Sequence, residues 1–172
     1  EVPAAARALG RELDVAVLKG RQNYLCVKQH RSFGQMLLRD PRDEEMYGRI
    51  EAWSRTTATG DRAELDVEPS AALWSELAVG SDRCAGRRCP HLAACFAEAA
   101  RARAAEAELV IVNHALYFAH VAAGGGVLPE HDAVVFDEAH RLEESAASWL
   151  GGRISRAALR RLAGDVEDRK ST

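Results

Sequence analysis

The sequence predicts an α/β fold interrupted by a mostly helical insertion. Short apolar, β-branched runs stand at residues 14–18 (DVAVL), 109–113 (LVIVN) and 133–137 (AVVFD), and such runs suit parallel strands of one sheet covered on both faces. Between the first two lies a long Ala-rich stretch, residues 26–105, whose ends must return to that sheet. The stretch carries all four cysteines, Cys26, Cys84, Cys89 and Cys95.

Each element has a local reason. Residues 3–13 (PAAARALGREL) read as a helix leading into the strand at 14–18. The basic segment Lys19-Gly20-Arg21-Gln22-Asn23-Tyr24-Leu25-Cys26 then runs into a further helix. A helix is expected over 43–57, and 58–69 (ATGDRAELDVEP) reads as an exposed acidic connection. Residues 70–79 (SAALWSELAV) predict a short helix with Ser70 as N-cap. A cysteine-rich loop, 80–95, opens into a helical stretch over 92–107. After the strand at 109–113 come a helix over 114–123 and a Gly-rich loop, then the run at 133–137 and further helices at 141–150 and 156–166.

Composition narrows the class. A chain of 172 residues with 47% hydrophobic and 28% charged residues is an ordinary soluble globular sequence. Its formal net charge of -3 excludes a global nucleic-acid-binding signal, so any such signal is local. Residues 1–18 carry charges throughout, unlike a signal peptide. The most apolar region, 109–128, is broken by Asn113, His114 and His120 and ends in glycines, which argues against a membrane span. A cytoplasmic protein is expected, in which four cysteines point to metal ligation rather than disulfides.

Cys84, Cys89 and Cys95 follow a C-x4-C-x5-C pattern, with Cys26 57 residues before it. This is not the C-x2-C knuckle of structural zinc. Four thiolates can ligate the four irons of a cubane cluster, and Pro90 after Cys89 keeps the loop out of a helix until the next ligand turns inward. Spacing alone leaves three options: ordinary buried thiols, zinc, or an iron–sulfur cluster. An Ala-rich lobe with few large apolar groups would gain from a metal cross-link.

Asp137-Glu138-Ala139-His140 follows the run Ala133-Val134-Val135-Phe136. Paired carboxylates at the end of a parallel strand stand where open α/β sheets bind ligands. In a nucleotide hydrolase the first holds magnesium and the second orients and deprotonates the attacking water, with His140 placed to sense the phosphate. The plain alternative is an acidic helix start. The sequence contains no G-x-x-x-x-G-K-[ST] phosphate loop, and Gly124-Gly125-Gly126 is not followed by Lys-Ser/Thr.

Three blocks together resemble the DinG/XPD-like branch of the superfamily 2 helicases: Lys19 to Cys26, the trio Cys84, Cys89 and Cys95, and Leu109 to Leu116 followed by Val134 to His140. The resemblance implies an ATP-driven 5′-to-3′ DNA translocase with a RecA-like motor. It implies a [4Fe–4S] cluster on Cys26, Cys84, Cys89 and Cys95, and Mg2+ and ATP at Asp137, Glu138 and His140, with Glu138 catalytic. It also implies a role in DNA repair. On this reading residues 1–25 and 106–140 are motor, 26–105 the cluster lobe, and 141–172 the start of a helical arch. The chain lacks the phosphate loop, most of the arch and a second motor domain, so a fragment of a longer protein is expected. The competing class is a non-catalytic module stapled by zinc or a cluster, and a third is a redox sensor.

Local charge suggests where DNA would run. Residues 19–31 have a balance of +4, 81–103 of +3 and 40–70 of -5. Lys19, Arg21, Lys28, Arg83, Arg87 and Arg88 are therefore expected along single-stranded or forked DNA, with the protein acting as a monomer. Tyr24 and Phe33 are either base-stacking groups or core. Asn113 and His114 either contact DNA or cap the helix that follows.

Overall fold

A computed structural model describes residue 10 and residues 12–33, 41–143 and 146–147. The helix expected at 156–166, most of that expected at 3–13 and half of that expected at 141–150 lie outside the described residues, as does most of the expected arch. The chain divides into two compact units, one of Glu1–Asn113 with Leu128–Glu130, the other of His114–Val127 with His131–Thr172. No described helix is long and apolar enough to cross a membrane.

The first unit holds a two-stranded parallel sheet. Strand β1 (Val15–Val17) pairs with β2 (Leu109–Ile111) in the register Val15↔Leu109, Ala16↔Val110 and Val17↔Ile111. The amide of Leu18 donates to the carbonyl of Ile111 at 2.9 Å, and the amide of Leu109 donates to that of Asp14 at 3.1 Å. Both strands arise from the predicted β-branched runs, where stiff side chains favour extended backbone.

Between them lies the helical lobe. Helix α1 (Val27–Phe33) is followed by α2 (Pro41–Ser54), whose first residue is a proline pre-set for a helix start and whose first turn carries Asp43 and Glu44. Helix α3 (Ala71–Leu77) is capped as expected, Ser70 Oγ accepting from the Leu73 amide at 3.1 Å. Helix α4 (Phe96–Glu106) buries Ala97 and Ala104, one face of an Ala-rich helix, and packs against β1. Leu25, Phe33, Ile50, Leu73, Trp74, Leu77 and Ala78 form the lobe's core, edged by Tyr47, Trp53 and Phe96. Ile50 and Leu77 have no exposure at all (0%). The Trp74 indole N–H, which burial would otherwise orphan, donates to the Gln22 carbonyl at 2.8 Å.

The acidic connection is better anchored than its composition suggested. Asp61 bridges to Tyr24, and a 3-10 turn spans Arg62–Glu64. Gly60 is buried with φ +62, and its carbonyl accepts from the Leu25 amide at 2.8 Å.

In the second unit, helix α5 (His114–Ala122) leads to Gly124, Gly125 and Gly126, all at positive φ. The strand expected at 133–137 is absent: those residues are irregular, and Val135 is 94% exposed. A strand needs a neighbouring ladder, and among the described residues the sheet has only β1 and β2. The segment is held instead by α5. Phe136 packs edge-on to Tyr117 with ring centres 5.1 Å apart and stacks on Phe118 at 6.4 Å.

Substitution at two glycines and one histidine tests this packing. A Cβ on Gly60 would stand 2.3 Å from the Phe96 ring, whereas one on Gly48 in α2 meets nothing within 4 Å. Gly60→Ala should therefore lose about 2–4 kcal/mol in urea unfolding, from overlap and left-handed strain. Gly48→Ala should gain about 0.5–1 kcal/mol. His30 packs on Tyr47, its Nε2 is buried without a hydrogen-bond partner, and burial pushes its pKa below the ordinary histidine range. The folded state thus favours neutral imidazole: its contribution is complete above the unfolded value of about 6.5 and is lost as pH falls towards the depressed folded value. The urea midpoint should drop on acidification below that point, and His30→Phe should flatten the drop.

Candidate metal centre

Cys26, Cys84, Cys89 and Cys95 line one small cavity in the first unit, open to solvent at its mouth. Leu25, Val79, Leu92 and Ala97 supply apolar wall, and among the described residues Arg21 is the one Lys, Arg, Asp or Glu that lines it. All four cysteines are half-buried and free of disulfides.

Short turns aim each thiol. The Cys26 amide donates to the Leu77 carbonyl at 2.9 Å, fixing the first cysteine to the end of α3, and the Cys26 carbonyl accepts the first amide bond of α1 from His30 at 2.9 Å. Cys84 precedes a 3-10 turn, Gly86–Arg88, and its sulfur accepts from the Gly86 amide at 3.4 Å. Cys89 closes that turn, its amide donating to the Gly86 carbonyl at 3.0 Å. Cys95 ends a second 3-10 turn, Leu92–Ala94, and stands at the N-cap of α4. The partial positive charge of that helix start has the sign that suits a bound anion.

No three His, Cys, Asp or Glu side chains among the described residues are gathered closely enough to hold one metal ion. Tetrahedral zinc at about 2.3 Å from each sulfur would need the sulfurs roughly 3.8 Å apart. Four soft thiol donors on one largely apolar wall are the donor chemistry that iron–sulfur groups take.

Charge at the site differs from the balance along the sequence. Arg21 forms an ion pair with Glu98, from the first turn of α4. Burial opposes the Arg21 charge, but the Glu98 hydrogen bond and the charges of Glu98, Cys84 and Cys95 outweigh it and hold the guanidinium above its ordinary pKa. Lys19 pairs with Asp61 at 2.6 Å, and Arg103 with Asp14 at 2.7 Å. Arg83 donates to the Ser75 carbonyl at 3.3 Å. Lys28, Arg87 and Arg88 are exposed. Charge summed over sequence windows misses Asp61 and Glu98 as partners because they lie 42 and 77 positions from the cations they meet. Tyr24 and Phe33 are buried at 4% and 7% exposure, so neither offers a face to a base.

The Asp137-Glu138-Ala139-His140 segment lies in the second unit. Asp137 Oδ1 accepts from the Glu138 amide at 2.8 Å, and the Asp137 carbonyl lies 3.0 Å from His114 Nε2. Glu138 adopts φ 50, a left-handed conformation rare outside glycine, and caps a 3-10 turn over Ala139–Arg141. Its Oε2 is 3.3 Å from His140 Nδ1, and both side chains are exposed.

No family model matches the chain. Among curated proteins it is 37% identical to the ATP-dependent helicase DinG of Mycobacterium tuberculosis (strain H37Ra) over 92% of its own length and 26% of that protein. It is 31% identical to the ATP-dependent DNA helicase YoaA of Haemophilus influenzae over 96% of its length and 27% of that protein. It is 34% identical to the 3'-5' exonuclease DinG of Bacillus subtilis over 81% of its length and 15% of that protein. Over nearly all of its length the chain is similar to segments of the helicase-named class of these proteins. Within that class it is a DinG-like segment, related to the DinG and YoaA proteins over nearly all of its length. It spans about a quarter of the length of the helicase-named relatives it matches.

Proposed function

We propose that this chain is the iron–sulfur lobe and Asp-Glu-Ala-His segment of an ATP-dependent 5′-to-3′ DNA helicase. The observation that carries the reading is the cavity: four thiols from separated parts of the sequence line one space. Cys26, Cys84, Cys89 and Cys95 would hold a [4Fe–4S] cluster there. Bound, the cluster would supply a redox-active cross-link between segments far apart in the sequence. The chain's own residues supply the rest: turns at Gly86–Arg88 and Leu92–Ala94 carry three of the thiols to the cavity, whose wall is largely apolar.

In the longer protein, Asp137 would hold magnesium and Glu138 would take the proton of the attacking water, with His140 near the phosphates. A phosphate loop from outside this sequence completes that site. Residues 1–25 and 106–140 then belong to the RecA-like motor, 26–105 to the cluster lobe, and 141–172 to the start of an arch.

DNA would pass beside the cavity mouth. Lys19 and Arg21 are engaged with acids, so the phosphate path narrows to Lys28, Arg87 and Arg88, with Arg83 at its edge. These residues stay wet and can exchange counterions for phosphates.

Anaerobically purified chain should contain iron and show the broad visible absorbance of an iron–sulfur centre, and Cys89→Ser should lose both. Protein that carries zinc alone, or no metal, would rule the cluster out. For DNA, Arg87→Ala and Arg88→Ala should each weaken single-strand binding and flatten its salt slope by roughly 0.7 for each phosphate no longer neutralised. Arg42→Ala in α2 should do neither; equal effects at all three positions would remove the proposed path.

A further inference from the structure

We propose that Arg21 and Glu98 set the charge of the cysteine cavity, with Arg21 as a positioning residue that favours electron uptake by the bound group and Glu98 as its counterweight. The inference rests on the reading that the cavity holds an iron–sulfur cluster.

Position comes first. Arg21 opens the 3-10 turn Arg21–Asn23, just ahead of Cys26. Glu98 lies in the first turn of α4, just after Cys95. Their ion pair therefore joins the chain entering the first thiol to the chain leaving the last, across 77 positions of sequence. Both side chains are mostly withdrawn from water, at 17% and 34% exposure.

Isolation comes second. The other described cations near the cavity in sequence do not line it. Lys19 is turned to Asp61, Arg103 to Asp14 and Arg83 to the Ser75 carbonyl. Arg87 and Arg88 are exposed, and neither belongs to the cavity wall. A thiolate-ligated cluster is anionic, and the cavity offers it one full positive charge of the chain's own, already half-committed to a carboxylate.

The electrostatic consequence has a sign. On reduction the cluster gains one electron from a low-potential donor, no bond is made or broken, and the site becomes more negative by one charge. A neighbouring guanidinium stabilises the reduced state and raises the potential, while a carboxylate on that guanidinium offsets part of the effect. A purely mechanical clamp has no such sign, because removing either partner only loosens it.

The test is mediated potentiometry of the cluster-loaded full chain, with a dithionite-poised mediator as the electron source and the visible spectrum as readout. Arg21→Gln should lower the midpoint potential and Glu98→Gln should raise it. Arg21→Lys should stay near wild type, and the double Gln variant should fall between the singles. Shifts of the same direction in both single variants, or no shift in either, overturn the proposal while leaving the cluster reading intact. If Arg21→Gln cannot retain iron, Glu98→Gln decides alone: a raised potential supports the proposal and an unchanged or lowered one refutes it. A wild-type chain that binds no iron removes the cluster reading, and this inference with it.

Discussion

Two adjacent backbone amides carry more of this structure than any side chain. Leu25 N–H donates to Gly60 and Cys26 N–H donates to Leu77, so one dipeptide is stitched to the acidic connection on one side and to the end of α3 on the other. Leu25 is buried and Cys26 lines the cavity, so this dipeptide joins the core to the cysteine cavity. Gly60 is glycine because of it: its carbonyl must reach Leu25 while Phe96 occupies the space a side chain would take. Phe96 in turn follows Cys95, so the first and last thiols are positioned by the same small patch of packing. The cavity is thereby largely shaped by the protein before any ligand is considered.

The charge pattern follows the same logic of partners brought from far along the chain. The lobe's acidic segment, 40–70, sets several of its acids against cations: Asp61 pairs with Lys19, Asp66 with Arg49, Glu51 with Arg55 and Glu68 with Arg62. Arg62 also lies over the Trp74 ring at 5.4 Å, an arrangement in which a cation gains from the ring face while its stem covers apolar surface. What remains wet and basic is a small set on α1 and the turn after Cys84. Net charge by sequence window is thus a poor guide to surface potential wherever a lobe folds back on its own entry strand.

Much of this was legible in the sequence, for physical reasons that differ by element. Ser70 before an apolar helical run signals a cap, and the cap is there. The β-branched runs at 14–18 and 109–113 formed strands because each found the other. The run at 133–137 has the same composition and formed none, because propensity does not supply a ladder partner. The cysteine spacing left ordinary thiols, zinc and a cluster all open; the four thiols line one cavity, yet no three of them are gathered closely enough to hold one metal ion, and nothing in the spacing marked Arg21 or Glu98 as neighbours. The acidic composition of 58–69 suggested a solvated tether, whereas Gly60 and Asp61 bind it to the core through backbone contacts that leave no compositional trace.

The pairing of β1 with β2 also has a kinetic side. Asp14 and Glu108, which meet at the end of that pair, are 94 positions apart, and parallel strands that distant are slow to find each other because a long loop must close first. Here the intervening chain is itself a folded body whose two ends emerge together, clamped by Arg21 and Glu98. Once the body has formed, the loop to be closed is short, whatever its length in residues. During synthesis the first strand leaves the ribosome long before its partner exists, and it waits as an unpaired edge until the body behind it is complete. Loop-closure cost alone thus favours an order in which the lobe folds before the strands pair.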